Sequence, residues 1–172
     1  MMFCPYCGTK IQSRESSAES SGPEQVKGVI PLAMARNGGV EDGMFTLIVT
    51  ESRLIIAKIT EDDKNKIRKA SGSFLLGGAV LEPERHRKAL GVYSRRYLSM
   101  DPDAILGESE GNAVMNVTDV KGIRISSGED NQGDQSYIVT FETLDGVKKY
   151  LIPTDRDSRD QLISMFGEKV HW

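Results

Sequence analysis

Cysteine is almost missing from this chain. Cys4 and Cys7 are its two, both within the first seven of 172 residues. A disulfide framework is therefore excluded as the organising principle. Histidine is as scarce, with His86 and His171 its two copies, which excludes a His-rich catalytic metal centre. Long apolar runs are absent too. The longest, residues 74–81, has eight residues and includes two glycines, where a membrane-spanning helix needs about 20. No apolar stretch follows a basic start, so the chain is expected to be soluble and cytoplasmic. A reducing cytosol would keep both thiols available as metal ligands. The 22 Lys and Arg against 25 Asp and Glu leave a net charge of −3, which disfavours a generally basic nucleic-acid binder. No G-x-S-x-G, H-E-x-x-H or phosphate loop with Gly-Lys-Ser/Thr occurs.

The remaining composition supports a folded body. Apolar residues make 38% and charged residues 27%, enough for a real core. Three blocks follow along the chain. Residues 1–11 hold the Cys pair. Residues 12–24 (QSRESSAESSGPE) carry five serines and a single apolar residue, Ala18, and read as a flexible tether. Residues 25–172 carry the periodic patterns.

Seven strands are predicted in that body. Residues 26–35 form a first strand bent by Pro31. Residues 44–50 and 53–59 are rich in β-branched side chains and read as a hairpin across Glu51-Ser52. Residues 113–117, 120–126, 136–141 and 147–152 follow, the last two flanking an Asp-Gly turn at Asp145-Gly146. Thr154 then opens a capping box, and Leu162, Ile163, Met165, Phe166 and Val170 recur at helical spacing. Strands followed by a helix, without βαβ alternation, disfavour a parallel nucleotide-binding sheet. Residues 60–100 depart from the strand rhythm as an insertion. Acids at Glu61, Asp62 and Asp63 mark one helix start, and Pro83 marks another, with Ala89, Leu90, Tyr93 and Tyr97 on one face.

Cys4-Pro5-Tyr6-Cys7-Gly8 is a C-x-x-C-G knuckle. Two thiolates at this spacing hold one tetrahedral metal, zinc being the expected ion. MMFCPYCGTKI resembles the opening half of a zinc ribbon, whose complete form has a second C-x-x-C. Two cysteines are half of a four-coordinate site. The other ligands would come from a second chain, from water, or from His86 or His171. A homodimer supplies the same pair twice by two-fold symmetry. A degenerate ribbon without firm metal binding and a redox pair are the alternatives. The dimer reading expects one zinc per two chains in native mass spectrometry, and a metal-free monomer purified without chelator would sink it.

The stretches TESRLII (residues 50–56), AVMNVTDVKGIRI (residues 113–125) and YIVTFETLDGVKKYLIP (residues 137–153) with the final helix carry a second resemblance. Together they resemble bacterial and archaeal pleckstrin-homology-like (GRAM-like) domains over roughly residues 26–59 and 101–170. The resemblance implies a mainly β fold with added α structure: a seven-stranded, bent antiparallel roll or barrel closed by a C-terminal helix. It also implies a non-enzymatic binding or scaffolding module for a protein or peptide. Here the fold would carry the helical insertion 60–100 and the N-terminal knuckle.

Charge is uneven along the chain. Residues 58–96 carry 10 positive and 5 negative side chains, whereas residues 97–172 carry 7 and 14. Arg85, Arg87, Lys88, Arg95 and Arg96 are therefore the candidate basic interaction surface. An anionic membrane surface is its alternative partner, and nucleic acid is disfavoured. The competing reading is solvated helix faces paired with the acidic body.

Overall fold

The structure, a computed structural model, describes residues 24–37, 40–70, 83–130 and 133–172. Its first half is a meander of β1 (Gly28–Asn37), β2 (Val40–Val49), β3 (Arg53–Lys58) and β4 (Ala113–Asn116). Between β3 and β4 lie α1 (Glu61–Ala70), α2 (Pro83–Ser94), a 3-10 turn (Arg95–Ser99) and α3 (Pro102–Gly107). A second meander, β5 (Val120–Glu129), β6 (Gln135–Thr143) and β7 (Gly146–Pro153), leads into α4 (Arg156–Phe166) and β8 (Val170–His171). The sheet order is β4-β3-β2-β1-β7-β6-β5-β8, with every pairing antiparallel except β5 to β8. The sheet does not close on itself, since β4 and β8 form its two ends.

The fold is thus mainly β with added helices, but the described sheet has eight strands where seven were expected. The eighth arises where the sequence pattern extended a helix too far. Gly167 takes a positive φ of 54° and ends α4, the usual role of glycine just past a helix. Val170 is thereby released from the helical stripe to pair with Ile123 of β5. The start of α4 is displaced by one residue as well. Its cap is Asp155, not Thr154: Asp155 accepts from the Ser158 backbone N–H at 2.7 Å, and the Ser158 hydroxyl donates back at 2.8 Å.

Two layers of core explain the strand sequences. On one face of the sheet, Leu47, Leu54, Ile56, Ile123, Val139 and Phe141 pack with Leu162 and Phe166 of α4. On the other, Ile48, Ile55 and Ala57 pack with Tyr97 and Ile105. In β3 the four consecutive residues Leu54 to Ala57 are all buried, because this strand is covered on both faces. The described helices between β3 and β4 are therefore part of the body. They supply the second covering layer.

Local signals account for the helices. Thr60 and Asp63 form a reciprocal cap at the start of α1, with the Asp63 N–H on Thr60 Oγ1 at 3.2 Å and the Thr60 N–H on Asp63 Oδ2 at 3.0 Å. Asp101 caps α3 by accepting from the N–H groups of Asp103 and Ala104, with Pro102 at the first helical position. Pro31 bends β1 as its sequence position requires. The β1–β2 register shifts between Ile30 and Ala33, a bulge of the kind proline imposes on a strand.

Candidate functional site

The bulge at Pro31 has a consequence beyond β1. The seam joining the two meanders is paired at Met34↔Leu151 and Ala35↔Tyr150 and nowhere earlier in β1. On its other side β1 pairs with β2 from Gly28 onward, and the Lys27 N–H donates to the Val49 carbonyl at 2.7 Å. The edge of β1 from Gly28 to Ala33 thus has no strand partner among the described residues. There β1 and β7 part, and α2 lies across the opening.

Buried hydroxyls fasten α2 in place. The Pro31 carbonyl, freed by the bulge, accepts from Thr46 Oγ1 at 3.3 Å and Ser94 Oγ at 3.5 Å. Those hydroxyls lie 3.4 Å from each other. A buried carbonyl left without such partners would lose about 1–3 kcal/mol. Leu90 of α2 packs beside them, buried with Ile59 and Ile67.

Two cavities run along α2 and share Pro31 and Asp155 in their walls. The first, about 400 Å³, is walled mainly by apolar groups, among them Leu32, Met34, Leu90, Leu151 and Pro153. The second, about 420 Å³, is more polar, with Lys27, Gly91, Arg95, Asp157 and Gln161. Together they form one groove with an apolar and a polar end.

Three features of the groove bear on binding. Gln161 Oε1 is buried and has no hydrogen-bond partner, an orphaned acceptor of a kind that folded proteins seldom keep. Its amide rests against Gly28, where an added Cβ would stand 2.5 Å from Oε1. Gly91 sits within α2, and a Cβ there would meet nothing within 4 Å. A glycine inside a helix destabilises it by about 1 kcal/mol relative to alanine. At the apolar end, Arg87 Nη2 bonds to Asp134 Oδ2 at 2.6 Å, tying α2 to the β5–β6 hairpin. An exposed pair of this kind contributes at most about 1 kcal/mol, so it is easily opened.

A second cluster stands behind α2. Asp63 accepts from the Tyr93 hydroxyl and from Thr60 Oγ1 at 2.7 Å. The Arg96 guanidinium lies 4.5 Å from the centres of both the Tyr93 and Tyr97 rings. It also donates to the Tyr97 hydroxyl at 2.8 Å and to Glu108 at 3.0 Å. Burial works to raise the Asp63 carboxyl, but hydrogen bonds from Tyr93 and Thr60 outweigh it and hold it below the usual aspartate range. Burial and the bond to Asp63 push the Tyr93 hydroxyl well above its ordinary value. Asp63 is therefore ionised and Tyr93 neutral near pH 7, and neither exchanges a proton there. The cluster ties together α1, α2 and the turn after it.

The five basic candidates are dispersed by this arrangement. Arg96 is drawn inward into the cluster, and Arg87 reaches to Asp134. Arg85 and Lys88 are exposed on α2, and Arg95 is exposed at the polar end of the groove. His171 is exposed in β8, and His86 lies in α2. Cys4 and Cys7 fall outside the described residues. Among the described residues no group of three or more His, Cys, Asp or Glu side chains could hold a metal, and no helix is long and apolar enough to cross a membrane. The sequence reading missed the groove, though Pro31 in a strand and Gly91 in a helical pattern were its visible signals.

Just ahead of β1, Glu24 is gripped by several donors. Its carboxylate accepts from Thr50 Oγ1 at 2.6 Å, from the Ser52 N–H at 3.1 Å and from Arg53 Nε at 2.6 Å. Burial opposes ionisation there, but bonds from Ser52, Thr50 and Arg53 prevail and lower its pKa to about 2. The chain thus enters β1 from a fixed point beside the β2–β3 turn.

Compared with protein-family models, with curated proteins and with solved structures, the chain matches none.

Proposed function

We propose that the chain is a non-enzymatic interaction module of the pleckstrin-homology-like kind, and that it binds an extended peptide or protein segment in the groove along α2. The two antiparallel meanders and the helix packed across one face support the family reading. One observation carries the binding reading: an unpaired strand edge and an apolar cavity line the same groove, with Gln161 in its polar wall. A segment lying there would pair its main chain with β1 by strand addition. It would place an apolar side chain among Leu32, Met34 and Leu90.

Gly91 provides the test. Gly91→Ala adds a methyl in open space and a better helix former, so it is expected to raise stability by roughly 0.5–1 kcal/mol in urea denaturation. Gly91→Trp fills the polar end. Peptides selected from a random display library against the full chain should share an apolar residue. They should bind Gly91→Ala normally and Gly91→Trp at least roughly tenfold more weakly, a difference of about 1.4 kcal/mol. Peptides that bind the tryptophan variant unchanged, or a selection that enriches nothing, would remove the groove from consideration.

A further inference from the structure

The outward face of α2 adjoins the polar end of the groove, with which it shares Arg95 and Leu98, while Arg85, Lys88 and Val92 line neither cavity. Leu90, Ser94 and Tyr97 point into the body and are buried. Opposite them, Arg85, Lys88, Val92 and Arg95 recur at i, i+3, i+7 and i+10, which places them on one stripe of the helix and its 3-10 continuation. All four are exposed. Val92 is 68% exposed, and Leu98, at the edge of the stripe, is 50% exposed. Such apolar side chains among cations have no role in the core.

We infer that this stripe seats the chain on an anionic lipid bilayer, with Arg85, Lys88 and Arg95 at the headgroups and Val92 and Leu98 entering the interface. The inference rests on charge complementarity together with exposed apolar anchors, the pairing found in interfacial helices. Residues 83–99 carry five cations against one acid, Glu84. Residues 100–172 carry 14 acids against 7 bases. An anionic surface repels that part and attracts α2, so one orientation is favoured. Each cation near such a surface strengthens partitioning roughly fivefold. Three cations and two shallow anchors therefore make weak, reversible binding that salt weakens.

The test is co-sedimentation of the full chain with phosphatidylcholine vesicles, plain or containing about a third phosphatidylglycerol. Binding is expected to the anionic vesicles alone, falling steeply between about 0.05 M and about 0.5 M salt. The triple variant Arg85→Glu/Lys88→Glu/Arg95→Glu should lose on the order of a hundredfold in partitioning. Val92→Ser/Leu98→Ser should weaken binding with little change in its salt dependence. These sites are exposed, and an unchanged melting temperature verifies the fold of each variant. Equal pelleting with plain vesicles, an unaffected triple variant, or retention by duplex DNA with no vesicle binding would each overturn the assignment. Arg85→Glu/Lys88→Glu, which touches neither cavity, should lose roughly twenty-five-fold in partitioning yet bind the groove-selected peptides unchanged, so failure here is distinguishable from failure of the groove.

Discussion

Replacing Asp63 with alanine is expected to lower stability by about 2–4 kcal/mol, measured by urea denaturation at neutral pH. The estimate joins two losses. The first turn of α1 loses its reciprocal cap with Thr60, worth about 1 kcal/mol. The Tyr93 hydroxyl loses its acceptor in a half-buried site, a further loss of about 1–3 kcal/mol. Asp63 is only 8% exposed, so water cannot readily replace it. Tyr93→Phe alone should lose about 1 kcal/mol, and the double variant should show about 1–2 kcal/mol of coupling because the two groups share one bond. Burial pushes the folded-state Asp63 carboxyl upward, and the stronger bonds from Tyr93 and Thr60 bring it below its unfolded value. The stabilisation it gives is therefore full above the ordinary aspartate pKa and is lost as pH falls through the depressed one. A loss below about 1 kcal/mol, or strict additivity with Tyr93→Phe, would refute the tie.

The same cluster shows where sequence reading succeeds and where it stops. Thr60 followed by three acids announces a helix start, and α1 begins at Glu61. Periodicity also placed Leu90, Tyr93 and Tyr97 on one inward face. What it did not show is that an arginine on the same element turns inward as well. By sequence Arg96 groups with the surface cations, because charge alone places arginine in water. Its neighbours Tyr93 and Tyr97, three before and one after, were the available sign that its guanidinium could stack. Asp63 likewise has the sequence position of an ordinary first-turn acid, since its burial is set by α2, about thirty residues on.

The strands were legible for a simpler reason. Their apolar patterns are local, and bends and turns are marked by Pro31 and by Asp145-Gly146. The groove is not local. Its walls come from β1, α2, β7 and the start of α4, and it exists because the β1–β7 seam is paired at two positions. No sequence period encodes how far two strands diverge. The eighth strand was hidden for a related reason. Val170 suits a helix stripe as well as a strand, and only the positive φ of Gly167 separates the two.

Phe141→Ala should be more damaging still, with an expected loss of about 3–5 kcal/mol. Phe141 is fully buried, and its ring meets Tyr150 of β7 and Phe166 of α4 edge-on, each with centres 5.9 Å apart. Such pairs add about 0.5–1.5 kcal/mol beyond the area they bury. The ring therefore joins β6 to β7 and both to the helix that covers them. Phe141→Leu keeps most of the volume and should lose roughly 1–2 kcal/mol. A cavity at this position weakens the seat of α4 more than the β6–β7 ladder, whose backbone pairing from Ser136 to Thr143 is untouched. Hydrogen exchange in Phe141→Ala should accordingly rise first in α4, ahead of β6 and β7. The groove would feel this indirectly, since Asp155, Asp157 and Gln161 enter it from α4 and the residue that caps it. A uniform rise in exchange, or a loss below about 2 kcal/mol, would mean that α4 is held by something other than this aromatic contact.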